Sequence, residues 1–180
     1  MIAKMDAFEQ VVAEILWNKG YWVRTSVKVE LTLEEKRLVG RPTTPRWELD
    51  VVGYRASDNQ LLVLECKSYL NSSGVGWDQV CGTAPSTHYK LFREPVLRET
   101  VLNRLCAQSE ENGMCASGVS ARLGMAAGNV HRNEEDRFVE SFHQKDWEFF
   151  GPTWLKRELA ILAKGRYENQ ISSVVAKLLK

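Results

Sequence analysis

The chain has 180 residues, of which 44% are hydrophobic and 26% are charged, a composition that predicts one globular domain with a sizeable core. The net charge of +1 excludes a global electrostatic attraction to nucleic acid, so any such contact must come from local clustering. No apolar run reaches membrane-spanning length and the first residues lack a signal peptide's apolar region, so we expect a cytoplasmic protein with no membrane partner.

The first predicted element is an amphipathic helix over residues 6–18. Asp6 can cap this helix and Gly20 can end it. Glu9 borders the apolar face, whereas Glu14 lies further toward the polar side. The apolar face is formed at helical spacing by Phe8, Val11, Val12, Ile15 and Leu16.

Residues 21–31 then form the clearest predicted strand, which we expect to be antiparallel to the next one. Thr32 and Glu35 have the spacing of a capping box, which predicts a short helix over residues 33–38 and then a loop over residues 40–45. The strand is predicted from the alternation with polar neighbours of Tyr21, Val23, Thr25, Val27, Val29 and Leu31.

Residues 46–69 predict a hairpin, because two apolar strands flank the turn-forming segment Ser57-Asp58-Asn59. A turn symmetric about Asp58 and Asn59 pairs Asp50 with Lys67 and brings both, with Glu65, to one face of the sheet. An odd-length loop or a bulge would shift this register. Cys66 points to the opposite face and is expected to be core packing.

Glu65 and Lys67 are two ionisable groups at the end of an apolar strand. Their position needs a physical explanation, since charged side chains are rarely buried without a partner or a function. The carboxylates of Asp50 and Glu65 would repel each other, and a hard divalent cation such as Mg²⁺ or Mn²⁺ would relieve the repulsion. Lys67 could position or deprotonate a water, or stabilise charge on a phosphate. The alternative is a surface hairpin with an ordinary Asp–Lys ion pair.

The rest of the chain predicts further helices and strands. A loop over residues 71–76 leaves the second hairpin strand, and Pro95 begins a helix that runs toward Ser109. One or two strands over residues 117–131 carry small residues that leave room for the helix over residues 134–144. A short aromatic strand near residue 149 and helices over residues 153–164 and 167–179 complete the prediction. The apolar helix faces should contain Phe138, Val139, Phe142, Ile171, Val174, Val175 and Leu178.

At the hairpin the chain resembles the PD-(D/E)XK nuclease superfamily. Asp50 matches the first acid of the motif and Glu65-Cys66-Lys67 matches (D/E)-X-K, although Leu49 stands where the motif has proline. The segment LLVLECKS resembles Holliday junction resolvase-like nucleases most. The resemblance implies an α/β, restriction-endonuclease-like fold with a central mixed β-sheet flanked by helices and additional C-terminal helices.

The resemblance is specific for about a third of the chain, residues 8–68. We expect a single nuclease-like domain over residues 1–180, with the motif region in residues 5–70 and a C-terminal helical part in residues 132–180.

The implied activity is Mg²⁺-dependent hydrolysis of DNA phosphodiester bonds by an endonuclease, with Mn²⁺ as a substitute. Asp50 and Glu65 would hold the metal with the backbone carbonyl of Cys66, and Lys67 would orient or activate the attacking water. The segment FEQVVAEILWNKGYWV resembles the first helix and strand of resolvase-like members, which implies that Glu9 joins the metal site directly or through water. A plain surface glutamate is the alternative for Glu9.

Four residues are weaker candidates for nucleic-acid binding. Arg37, Arg41 and Arg46 cluster before the hairpin, where a solvated basic loop is an equal alternative for each. Gln79 matches a glutamine that some nuclease families place on the next helix, although a plain helix-start residue is the favoured interpretation. Resolvases of this fold are homodimers, which implies a homodimer here.

Two alternative functions are open on sequence alone. The same fold could be a catalytically silent nucleic-acid-binding or assembly subunit, which the intact set of Asp50, Glu65 and Lys67 disfavours. A nuclease acting on RNA is the other alternative, and nothing in the sequence distinguishes it from a DNA nuclease.

Overall fold

The computed structural model describes residues 6–43, 46–84, 86–165 and 170–179. The fold is mixed α/β, with a five-stranded mixed sheet flanked by helices. The predicted loop at Thr44 and Pro45 and the predicted helix start at Tyr167 lie outside the described residues. The elements are α1 Ala7–Asn18, β1 Trp22–Val29, α2 Leu33–Leu38, β2 Trp47–Arg55, β3 Gln60–Lys67, α3 Trp77–Val80, α4 Lys90–Arg93, α5 Pro95–Glu111, β4 Ser120–Ala127, α6 Glu135–Gln144, β5 Glu148–Phe150, α7 Pro152–Lys164 and α8 Ile171–Leu178.

The strands lie in the order β1-β2-β3-β4-β5. The first three form an antiparallel meander, and β4 and β5 add to it in parallel. Helix α1 and Leu155 of α7 cover one face of the sheet, while α5 and α6 cover the other, so two separate apolar clusters enclose the sheet. Within the described ranges, no helix is both long enough and apolar enough to cross a bilayer.

The sequence signals that predicted the starts of α1, α2 and α5 agree with the structure. Asp6 caps α1 by accepting the backbone N–H of Phe8 at 2.7 Å. Thr32 and Glu35 form the reciprocal capping box of α2, with each side chain accepting the other residue's backbone N–H. Pro95 begins α5, where its missing N–H leaves no hydrogen bond unmade.

The hairpin exists, but its predicted register is wrong by two residues. Val51 pairs with Leu64 and Arg55 pairs with Gln60, so the turn contains the four residues 56–59 rather than the pair Asp58–Asn59. Successive side chains of a strand alternate between faces, so a shift of two does not by itself move a side chain to the other face.

Midway along β1 and β2, the apolar side chains switch from one face of the sheet to the other, which the alternation in the sequence did not predict. The register runs from Thr25↔Val51 to Val27↔Leu49, and Ser26 between them has a positive φ of 51°. On β2, Leu49 and Val51 are two residues apart yet pack in opposite apolar clusters. The left-handed conformation at Ser26 breaks the pleat of β1 at the level of Asp50. On β1, Tyr21 and Val23 consequently pack on the α1 side, and Val27, Val29 and Leu31 pack on the other side.

Three predicted packing assignments are wrong. On α6, Val139 is 52% exposed and only the two phenylalanines are buried. On α8, Ile171, Val175 and Leu178 are 66%, 47% and 80% exposed, while Ser172 and Ser173 are buried. Gly124 of β4 does not make room for a helix: an added Cβ would lie 2.7 Å from the backbone oxygen of Glu148 on β5.

Candidate active site

The candidate site lies where β2 and β3 separate. Their pairing ends at Val51↔Leu64, while β3 continues along β4 as far as Lys67. Beyond this point the backbone N–H of Cys66 no longer faces a paired strand, and Asp50 Oδ2 accepts it at 2.7 Å. A side-chain carboxylate therefore takes the place of a β2 carbonyl, which satisfies a buried donor and fixes the orientation of Asp50.

Lys67 brings the two acidic residues together. Its Nζ lies 2.7 Å from Glu65 Oε1 and 4.0 Å from Asp50 Oδ2. The side chains of Asp50 and Glu65 are each 24% exposed, and that of Lys67 is 27% exposed, so the group is largely withdrawn from water but open to a ligand. The structure thus collects all three residues of the predicted motif at one point.

The charges of this group shift its protonation equilibria. Burial and the charge of Glu65 raise the pKa of Asp50 to about 6, although the Cys66 N–H and Lys67 oppose the shift. Burial alone would lower the pKa of Lys67, but the charge and hydrogen bond of Glu65 and the charge of Asp50 raise it above the ordinary lysine value. Lys67 is therefore a stable cation at neutral pH.

Glu9 approaches the group from α1. Burial, then the charges of Asp50 and Asp6, raise the pKa of Glu9 to about 7, against an opposing effect of Lys67. Glu14 lies elsewhere: its Oε2 accepts the backbone N–H of Ser172 at 2.8 Å at the start of α8. Of the two helix glutamates, Glu9 is therefore the one that faces Asp50.

The chemistry of the site suits a hard divalent cation held by two carboxylates rather than three. Across the described part of the chain, no three His, Cys, Asp or Glu side chains converge closely enough to hold a metal ion. Glu9, on α1, is not part of such a three-residue group, so of its two expected roles the one through water fits the described arrangement, and direct ligation stays a prediction. The charge of Glu65 contributes to the raised pKa of Asp50, so the two carboxylates repel each other. A divalent cation bound between them would relieve this repulsion.

Cys66 contributes its backbone, not its thiol. The side chain is buried in the apolar cluster against α1, and burial followed by the charges of Asp50 and Glu9 raises the pKa of the thiol well above its ordinary value. The N–H and C=O of one strand residue point to the same side. Since the N–H meets Asp50, the Cys66 carbonyl also faces the opening between β2 and β3, where it can add an oxygen ligand.

The weaker nucleic-acid candidates are dispersed. Arg41 donates to both carboxylate oxygens of Glu94, at 2.9 and 2.7 Å, and lies over the ring of Trp47, so it is engaged within the protein. Arg37 and Arg46, which precede and follow Arg41 in the sequence, are exposed. Gln79 is exposed on α3, where its backbone carbonyl accepts a hydrogen bond from Arg93.

Tyr89 is a site neighbour that sequence reasoning missed. It is buried, precedes α4 with a φ of 57°, and burial, a hydrogen bond with Tyr69 and the charge of Glu65 raise the pKa of its hydroxyl. Its loop carries no strand or helix pattern, and a single tyrosine 24 positions after Glu65 gives no signal in the sequence.

Comparisons with known proteins do not assign the chain to a family. No family model matches it, and no curated protein matches it. One similar solved structure is described as a crystal structure of a protein of unknown function, AF1548. It shares 14% sequence identity at a TM-score of 0.42, over 94% of this chain and 76% of that one.

Proposed function

We propose that the chain is a metal-dependent endonuclease of the restriction-endonuclease-like fold that hydrolyses DNA phosphodiester bonds. The observation that carries the proposal is the contact of Lys67 with both Glu65 and Asp50 at the point where two neighbouring strands separate. An ordinary surface ion pair would give no reason for a largely buried Asp50 whose pKa is raised beside another carboxylate.

The fold supports the proposal at a coarser level. A mixed sheet flanked by helices, with one acid on β2 and a Glu-X-Lys triplet on the adjoining β3, is the arrangement that the superfamily resemblance implies. The opening between β2 and β3 also leaves backbone polar groups available for a ligand, which a continuous sheet would not.

Each residue of the site has a distinct role in this mechanism. Asp50 and Glu65 would hold Mg²⁺, with the Cys66 carbonyl as a third ligand. When bound, Mg²⁺ would polarise the phosphoryl oxygen, lower the pKa of water and stabilise the leaving oxygen during in-line attack. Lys67 keeps its proton, so it orients the water or stabilises phosphate charge instead of deprotonating the water.

Glu9 has a supporting role in the same mechanism. With a pKa of about 7, it is half-protonated near neutral pH and can exchange a proton with a water in the site. This role through water is one of the two that the resemblance implies for Glu9.

The direct test is nicking of supercoiled plasmid with Mg²⁺, with and without excess EDTA. We expect EDTA and Asp50→Asn each to abolish nicking, while Glu34→Gln, which removes an exposed carboxylate on α2, leaves it unchanged. Nicking that persists in EDTA, or in Asp50→Asn, would contradict the mechanism. Labelled DNA and RNA duplexes of one sequence, compared in the same assay, decide between the two substrates.

A further inference from the structure

A cavity of about 470 Å³ lies on the α5 side of the sheet and is lined by neither Asp50 nor Glu65. It is enclosed by the end of α3, by α4 with the start of α5, and by the turn between α6 and β5. Three of its side chains are cationic, namely Arg93, Arg98 and Lys145, and the ring of Trp147 forms part of its wall. No carboxylate lines it among the residues that the structure describes.

This concentration of positive charge is not neutralised within the described protein. Arg122 pairs with Glu148 at 2.7 Å and Arg41 pairs with Glu94, yet none of the three cavity cations has an acidic partner among the described ion pairs. The net charge of the whole chain is only +1, so this uncompensated group is a local feature. Like charges held around one cavity repel, and an anion between them would relieve the repulsion.

The two guanidinium groups are also held in place before any ligand arrives. Arg93 Nη1 donates to the carbonyl of Gln79 at 2.7 Å, and Arg98 Nη1 donates to the carbonyl of Leu91 at 3.0 Å. Each guanidinium has five N–H donors, so both retain donors for a further acceptor. The Arg98 guanidinium and the Lys145 ammonium lie 5.0 and 5.2 Å from the centroid of the Trp147 ring, so one aromatic ring positions both cations, and neither has an acidic partner among the described ion pairs.

We propose that this cavity is a phosphate-binding site, separate from the carboxylate pair, in which Arg93, Arg98 and Lys145 hold the phosphate oxygens. Arginine forks match the geometry of phosphate, and lysine adds a point charge. The phosphate belongs either to a free phosphomonoester or to a nucleic-acid backbone, since both present the same oxygens. The proposal does not depend on nuclease activity.

The first test measures thermal unfolding of the full chain in EDTA against inorganic phosphate, with ionic strength held constant by NaCl. Phosphate should raise the Tm of the wild-type protein in a saturable way. Lys145→Gln should weaken the apparent affinity about tenfold or more, since it removes a charge-assisted hydrogen bond. Lys145 is the chosen position because its exposed ammonium group makes no hydrogen bond or ion pair within the described part, so its variant should fold.

The matched control is Lys156→Gln, which removes another exposed lysine, on α7, and it should bind phosphate as the wild type does. Absence of saturable stabilisation in the wild type, or equal stabilisation of Lys145→Gln, would overturn the proposal. Because EDTA is present throughout, neither result bears on catalysis.

The second test identifies the source of the phosphate, by fluorescence anisotropy of a labelled oligonucleotide in EDTA. Weaker binding by Lys145→Gln but not by Lys156→Gln would support a backbone phosphate. Unchanged oligonucleotide binding, together with lost binding of inorganic phosphate, would support a free phosphomonoester.

Discussion

Asp50 Oδ2 accepts the backbone N–H of Cys66 at 2.7 Å, just beyond the last paired residues of β2 and β3. The carboxylate is thus a backbone partner as well as a candidate metal ligand. These two roles can be separated by substitution, because an amide keeps the hydrogen-bond acceptor and loses the charge, while alanine loses both.

We therefore predict that Asp50→Asn folds normally, whereas Asp50→Ala is less stable by about 1–3 kcal/mol because the Cys66 N–H is left without an acceptor. Both variants should lose Mn²⁺ binding and cleavage. Urea unfolding and calorimetric titration with Mn²⁺ measure the two effects. Wild-type Mn²⁺ affinity in Asp50→Asn would show that Asp50 has only the structural role.

The raised pKa values predict how stability depends on pH in the absence of metal. Folding raises the pKa of Asp50 from 3.8 to about 6, so the folded state binds more protons than the unfolded state between these values. Stability should therefore fall as pH rises from about 4 to 6, and Glu9 should extend the decline toward pH 7.

Asp50→Asn should remove about half of this decline, since the pKa shift of Glu9 is of similar size, and should stabilise the metal-free protein at pH 7.5 by about 1–2 kcal/mol after allowance for solvent screening. Urea unfolding in EDTA at several pH values tests this. A wild-type protein that becomes more stable from pH 4.5 to 7.5, with the same profile in Asp50→Asn, would refute it.

Lys67→Ala should reduce turnover roughly 10²–10⁴-fold without loss of Mn²⁺ affinity. The substitution leaves Asp50 and Glu65 in place and removes only the cation between them, which competes with a metal for the same oxygens. Single-turnover cleavage and Mn²⁺ titration provide the two readouts. Equal cleavage rates for wild type and Lys67→Ala would make Lys67 a structural partner only.

Glu9 and Glu14 should respond oppositely to replacement by glutamine. Glu9→Gln should slow cleavage, because it neutralises the helix glutamate that faces Asp50. Glu14→Gln should leave the rate unchanged and destabilise the protein by about 1–3 kcal/mol, since it weakens the hydrogen bonds to Ser172.

The pH dependence of the Glu14 effect has the opposite sign to that of Asp50. Burial tends to raise the pKa of Glu14, but hydrogen bonds from Ser172 and Gln10 outweigh it and lower the pKa below 4.5. This stabilisation is present above pH 4.5 and is lost as the pH falls below it. Limited proteolysis near α8 should therefore be faster at low pH in the wild type, but not in Glu14→Gln.

Ser26→Gly should stabilise the protein by about 1 kcal/mol, because glycine adopts a φ of 51° without the steric penalty of a side chain. Ser26→Val should destabilise it by about 1–3 kcal/mol, since a β-branched residue is strained in that region. Urea unfolding of the two variants measures both effects. Valine as stable as glycine would indicate regular strand geometry at this position.

Local signals allowed most helices and strands to be predicted from the sequence. Capping at Asp6 and Thr32 and the alternation in β2 act between near neighbours, so a single sequence contains them. The face change at Ser26 could not be predicted, because serine is not a residue that marks left-handed backbone. The predicted register was wrong because it assumed a two-residue turn at Asp58–Asn59, whereas the turn contains residues 56–59.

Contacts between residues that are far apart in the chain could not be predicted from the sequence. The burial of Ser172 depends on Glu14, a residue 158 positions away. The cationic cavity likewise joins Arg93 and Arg98 to Lys145 across an intervening strand and helix. Among the site residues, the hairpin members came together because the turn alone aligns them, whereas Tyr89 reaches Glu65 only through tertiary packing.

The antiparallel meander also has a consequence for how the chain folds. The connections from β1 to β2 (residues 30–46) and from β2 to β3 (residues 56–59) are both shorter than the 52 residues between Lys67 and Ser120, which must be crossed before β3 and β4 pair. Closing the shorter loops is entropically cheaper, so the hairpin bearing Asp50, Glu65 and Lys67 should form early and the β3–β4 pairing late. Insertions in the long crossover should then slow completion of the sheet and leave the spacing of these three residues unchanged.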